Sequence, residues 1–297
     1  MTKLRTPFHT SANPTCMLLT PEVEKVIGRT RFAIDSRQGM TGIFGDVGLG
    51  KTSILRFLWM DYKSQEDAVV AMIPTPDFPR RYGFITAICD EFGVDRKRSE
   101  RAQYQAFTAF VTEKNRAGFN VVLFIDEGQK LTPSNLEYLR GFLNFEKPDE
   151  KLVQIVLAAQ LELRDRLIRD ENESLYQRLY APSMLNVLAE ADTCALIAHR
   201  CSGFGIANPF SVEAMQAVHR LTAGVPRKII GLCGQAYEVM LRVEASAVDA
   251  RMVQEVFADG DLKGATSPAA AERVAPRKGA ARKGAAKKGV RRDAARA

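Results

Sequence analysis

Eight consecutive residues, Gly45-Asp46-Val47-Gly48-Leu49-Gly50-Lys51-Thr52, carry the sharpest chemical signal in the chain. They match G-x-x-x-x-G-K-[ST] and stand between an apolar run and a helical pattern, the setting in which such a loop cradles phosphates. The glycines let successive backbone N–H groups curl toward an anion, and the helix that follows adds the positive end of its dipole. Lys51 is expected to reach the β and γ oxygens of a nucleotide and the Thr52 hydroxyl to coordinate Mg²⁺, with Ser53 next in the candidate binding set. The second signal is Val121-Val122-Leu123-Phe124-Ile125-Asp126-Glu127, an apolar run ending in two acids. Asp126 suits the water shell of Mg²⁺, and Glu127 suits a base that orients and polarises the water attacking a γ-phosphate. ATP and Mg²⁺ are therefore the expected ligands.

Residues so placed need a scaffold, and the pattern around them supplies one. Short β-rich runs at Met40–Phe44, Val69–Ile73, Val121–Ile125, Val153–Ala158 and Ser183–Leu188 alternate with helical stretches at Thr52–Tyr62, Tyr82–Phe92, Arg101–Ala117 and Pro133–Phe145. That alternation predicts βαβ units around a parallel sheet. From about Ala189 the strands stop, and helices are expected at Ala191–Ser202, Ser211–Leu221, Pro226–Val243 and Val248–Phe257. Before the loop, Thr20-Pro21 reads as a helix N-cap followed by Pro at the first position. The stretch Phe8–Thr20 reads as a strap over the nucleotide base.

The 297 residues, 46% of them hydrophobic, are ample for a globular core, and no run approaches the roughly 20 apolar residues of a membrane span. The N-terminus lacks the apolar stretch of a signal peptide, and the five cysteines contain no CxxC pair, so a reducing cytoplasm is the expected setting. Cys194, His199 and Cys201 make a poor zinc set, and Phe57, Trp59 and Tyr62 read as packing residues. The net charge of +7 is uneven: residues 263–297 hold 11 Lys and Arg against 2 Asp and Glu, while residues 1–262 hold 31 against 33. Basic pairs recur at Arg277-Lys278, Arg282-Lys283 and Lys287-Lys288 among Gly and Ala, a composition that builds no core. Such a tail binds polyanions by counterion release, which favours nucleic acid over an anionic lipid surface or a plain solubility tail. Arg80, Arg81, Lys97 and Arg98 are either a second basic path or a solvated face.

The two motifs together resemble the AAA+ division of P-loop ATPases, and the resemblance runs through most of residues 13–258. Leu123–Leu131, Leu136–Asn144 and Ile155–Leu163 are similar to the ATPases of the ExeA (general secretion pathway protein A) type and to their transposition relatives, the TniB, TnsC and phage Mu B proteins. Gly128, Ala159 and Leu161 depart mildly from that pattern. The resemblance implies an α/β, three-layer αβα sandwich with a parallel five-stranded sheet, a small all-α lid and a disordered basic tail. In domain terms it implies a lead-in over 1–39, a nucleotide-binding domain over 40–188, a lid over 189–260 and a tail over 261–297. It also implies roles that spacing alone does not give. Gln160 falls where such ATPases place a sensor of the γ-phosphate. Arg178 matches the arginine that enters a neighbouring subunit's site, with Arg166 and Arg169 as rival candidates. Gly224-Val225-Pro226-Arg227 resembles the G-x-P-R of the lid, making Arg227 a second sensor.

The expectation is thus an ATP-hydrolysing, homo-oligomeric switch, ring or filament, that grips double-stranded DNA and activates a transposase. Secretion-type members carry a membrane span and a peptidoglycan-binding domain after the ATPase, and neither is expected here. The alternatives are a non-catalytic nucleotide-dependent scaffold, a replication-initiator or clamp-loader-like ATPase, and an ExeA-like, signalling or defence ATPase with a protein client.

Overall fold

Thr20 caps the first helix, α1 (Pro21–Asp35), its hydroxyl accepting from the Val23 N–H at 3.3 Å while Pro21 takes the first helical position. The computed structural model of the chain describes residues 6–11, 14–169 and 173–260. Along them follow β1 (Met40–Phe44), α2 (Lys51–Lys63), β2 (Ala68–Ile73), α3 (Arg81–Glu91), α4 (Glu100–Arg116), β3 (Asn120–Ile125) and α5 (Pro133–Phe142). Then come a small hairpin, β4 (Glu146–Lys147) and β5 (Glu150–Lys151), followed by β6 (Val153–Ala159), α6 (Leu161–Ile168), α7 (Glu173–Tyr176) and β7 (Ser183–Met184). Helices α8 (Glu190–Gly203), α9 (Val212–Thr222), α10 (Pro226–Arg242) and α11 (Ala250–Asp259) complete the described chain. Met1–Asp259 is one compact unit. The basic tail expected over 261–297 lies outside the described residues, as does Asn13.

Five strands form one parallel sheet in the order β2-β3-β6-β1-β7. Its central strands are apolar on both faces because both faces are covered. On β3 the alternation is visible residue by residue. Val121, Leu123 and Ile125 join the core under α3, α4 and α5, with Ile85, Phe107 and Leu139. Val122 and Phe124 point the other way, into the core with Ile27 of α1 and Leu55 of α2. The result is the expected three-layer αβα sandwich with a five-stranded parallel sheet.

A third core belongs to α8–α11, built on Ile197, Val218, Ile229, Leu232 and Cys233. Phe8, far upstream in sequence, closes it, its ring 5.4 Å from Phe210 and 6.0 Å from Tyr237. The α9–α10 turn requires Gly224, at φ 71°, because a Cβ there would stand 2.3 Å from the Leu188 carbonyl oxygen. The same residue accepts the Leu188 N–H at 2.9 Å, fastening the turn to the connection from the sheet.

Several boundaries differ from the sequence expectation. The run Ser183–Leu188 pairs with β1 only at Ser183 and Met184, plus one further bond from the Leu185 N–H to the Phe44 carbonyl. Beyond it the chain turns to meet Gly224. The helix expected over Pro133–Phe145 stops at Phe142, and the last begins at Ala250 instead of Val248. In the latter case Val248 is used in a backbone bridge to Phe210.

Candidate nucleotide-binding site

Because the sheet is parallel, the C-terminal tips of its strands share one edge, where ligands of open α/β sheets bind. β3, β6 and β1 are neighbours, so their tips deliver Asp126, Gln160 and Gly45 side by side. Phe44 is in register with Ala159, and Ile125 with Leu157. The loop from Gly45 turns into α2 through Gly48 at φ 87° and Gly50 at φ 96°. A Cβ at Gly50 would meet no atom, so the constraint there is conformational, whereas at Gly48 it would approach Arg227 and Val225 at 3.1 Å. The Lys51 ammonium donates to the Gly45 and Asp46 carbonyls, each at 2.8 Å. Burial pulls its pKa below the usual lysine value, while the nearby Glu127 and Asp126 carboxylates oppose that fall.

Asp126 is buried, and burial raises its pKa, opposed by hydrogen bonds from the Thr52 hydroxyl and the Glu127 N–H. A hydroxyl and a carboxylate held together make an all-oxygen donor pair. Among the described residues no group of three or more His, Cys, Asp or Glu could hold a metal. The Thr52–Asp126 pair fits Mg²⁺, which takes one or two protein ligands and completes its shell with water and phosphate oxygens.

Glu127 has left-handed backbone, φ 52° and ψ 37°, uncommon for a residue with a side chain. That conformation turns the chain out of β3 and lets the carboxylate face the cleft beside Lys51, the sort of local strain that functional positions retain. Its Oε2 accepts from Gln129 Nε2, and Gln129 Oε1 accepts the Gln160 N–H at 3.1 Å. One amide therefore ties the two strand tips together. Gln129 falls within the stretch Leu123–Leu131, but neither its type nor its spacing assigns it this task.

A cleft runs from this edge to the helical layer. Its polar half is lined by Gly48, Lys51, Glu127, Gln160 and Arg227, and its apolar half by Met17, Leu18, Leu49, Leu188 and Leu196. Arg227 reaches it from the first turn of α10, with its backbone N–H donating to the Gly48 carbonyl at 3.1 Å. The strap is here too: Thr10 and Ser11 line the polar half, and Cys16 to Leu18 the apolar half. The structure thus brings together the loop Gly45–Thr52, Ser53, Asp126, Glu127, Gln160 and Arg227.

Residues 34–167 match the family model for the AAA domain. The chain carries an AAA+ P-loop ATPase domain. It is similar to general secretion pathway protein A of Aeromonas hydrophila, 30% identical over 233 residues that make up 77% of this chain and 42% of that protein. The chain accordingly spans less than half the length of that relative. Solved structures share the fold. The ORC2 protein of Aeropyrum pernix superposes with a TM-score of 0.62 at 14% identity, covering 86% of this chain and 72% of its own. Cdc6p from Pyrobaculum aerophilum gives 0.62 at 14%, over 80% and 67%. The Thermotoga maritima RuvB Holliday junction branch migration motor gives 0.56 at 17%, over 79% and 68%.

The three candidate arginines stand differently around this AAA+ domain. Arg178 does not line the cleft: its Nη1 donates to Asn144 Oδ1 at 2.9 Å and to the Arg140 carbonyl at 3.4 Å, near the end of α5. Arg166 donates to the Leu131 carbonyl at 2.8 Å and the Gln129 carbonyl at 3.4 Å, clasping the loop that follows Glu127. Arg169 is exposed just past α6. Arg81 lies over the Tyr138 ring at 5.8 Å and Lys97 pairs with Asp95 at 3.8 Å. Cys201 is buried and free, and no helix among the described residues is long and apolar enough to cross a membrane.

Proposed function

We propose that this protein binds and hydrolyses ATP with Mg²⁺ and works as an oligomeric, DNA-associated switch, of the kind that selects transposition targets and activates a transposase. The observation that carries the hydrolytic reading is the convergence of Lys51, the Thr52–Asp126 pair and Glu127 on one cleft. In it the loop N–H groups and Lys51 hold the β- and γ-phosphates, and Thr52 and Asp126 hold the metal. Bound Mg²⁺ supplies charge neutralisation at the phosphate oxygens. Glu127 accepts a proton from the water as its oxygen bonds to the γ-phosphorus, and ADP leaves with the electrons of the broken P–O bond. Arg227 connects the nucleotide to the helical layer. In this reading Arg178, exposed and outside the lining of its own cleft, serves a neighbouring copy, and the active form is a homo-oligomer.

Gln129 acts through Glu127. Replacing it by Leu removes the amide that fixes the carboxylate, and kcat is expected to fall about three- to tenfold with ATP affinity unchanged. Single-turnover hydrolysis beside equilibrium ATP binding measures both; an equal loss in both would make Gln129 a structural residue only.

The DNA reading is supported by the basic run after residue 262 and by the fold shared with a branch migration motor. Its test is ATP hydrolysis with and without double-stranded DNA while light scattering follows assembly. Stimulation and assembly requiring both ligands are expected. Removing residues 263–297 is expected to weaken DNA binding and flatten its salt dependence. Hydrolysis indifferent to DNA, with no assembly on it, would move the client to a protein, in line with the relative in secretion.

A further inference from the structure

Arg200 of α8 is 7% exposed, yet it lines both the polar and the apolar halves of the nucleotide cleft. Among the described residues its one hydrogen bond runs from Nη1 to the His9 carbonyl at 3.2 Å, and its Nε has no partner. A buried cation with no carboxylate partner among the described residues is costly, and burial pulls the guanidinium below its usual pKa range, opposed by nearby Cys16. Leu196 and Ile230, which line the apolar half with it, offer that charge no polar partner. A guanidinium in this state suits an anion that arrives in the cleft.

The position says which anion. Arg200 shares both halves of the cleft with Gly50 and Ser53, at the junction between the apolar slot and Lys51. A nucleotide with its base in the apolar slot and its terminal phosphates at Lys51 puts its ribose-proximal phosphate at that junction. We propose that Arg200 binds this α-phosphate, which substrate and product share. The inference rests on the nucleotide reading above and adds a division of labour within the helical layer. Arg227 faces the terminal phosphate and responds to hydrolysis, while Arg200 holds ADP and ATP alike. Through its bond to His9, Arg200 also ties the strap to the bound nucleotide, so the helical layer stays engaged after phosphate has left and is freed only when ADP dissociates.

The test uses the full chain, titrated with Mg²⁺-ADP and with Mg²⁺-ATP, alongside melting of the unliganded protein. Arg200→Met is expected to weaken both nucleotides by the same factor, about ten- to a hundredfold. Its unliganded melting temperature is expected to stay level or rise, because an unpaired buried charge has gone. Arg200→Gln removes the charge but keeps a donor for the His9 carbonyl, and the same double loss is expected of it. Unchanged ADP affinity in either folded variant overturns the proposal, as does a loss confined to ATP. A wild-type protein that binds neither nucleotide would instead overturn the nucleotide reading itself.

Discussion

Glu127→Gln leaves ATP bound and all but stops its turnover. General-base assistance is worth about 10²- to 10⁴-fold, or roughly 3–5 kcal/mol of barrier, and an amide of the same shape provides none of it. Binding is expected to hold or tighten, since a negative charge is removed from beside the γ-phosphate. The amide oxygen still accepts from Gln129, so the link to Gln160 survives the change. Pre-steady-state hydrolysis with parallel ATP titration reads both effects, and the ATP-bound assembly is expected to accumulate. Turnover within twofold of wild type would remove Glu127 from the chemistry and favour the scaffold reading.

Lys51→Ala acts one step earlier and loses the nucleotide. The Lys51 ammonium now satisfies two loop carbonyls, Gly45 and Asp46, and stands beside two carboxylates in a partly desolvated site. Phosphate oxygens offer it stronger, charge-assisted partners. Losing them costs about 3 kcal/mol, more than a hundredfold in affinity for ADP and ATP together. Calorimetric titration checks this, and a variant that still binds ATP within threefold would assign phosphate binding to the loop amides alone. The two variants separate cleanly: one is expected to bind and stall, the other to fail to bind.

Much of this site was legible in the linear sequence because its parts are local. A loop of fixed spacing enters α2, and two acids end a strand whose five apolar positions, Val121 to Ile125, alternate between two cores. Parallel pairing then places the tips together whatever fills the loops between them. Gln129 and Arg200 were not legible, for different reasons. Gln129 works because Glu127 bends left-handed and brings positions 127 and 129 to face the next strand tip, a backbone event that composition does not announce. Arg200 sits in an ordinary amphipathic pattern, and only the packing of α8 beside the loop, about 150 positions away in the chain, turns it inward. The hairpin β4–β5 escaped because its residues are charged and exposed or half-buried, with no apolar alternation to follow. α6 escaped because only Leu163 and Leu167 mark its buried side.

Phe8 belongs to the core of the helical layer, whereas α1, a few residues later, belongs to a core of the sheet. The chain therefore passes between the two layers twice, once through Thr10, Ser11 and Cys16–Leu18 and once through Leu185–Ala189. A body hung on a single connection can swing about any axis, but one hung on two can turn only about the line that joins them. Any closure of the cleft on a nucleotide is then expected to be a rotation about that line, and a cut between Cys16 and Pro21 is expected to turn a hinge into a swivel.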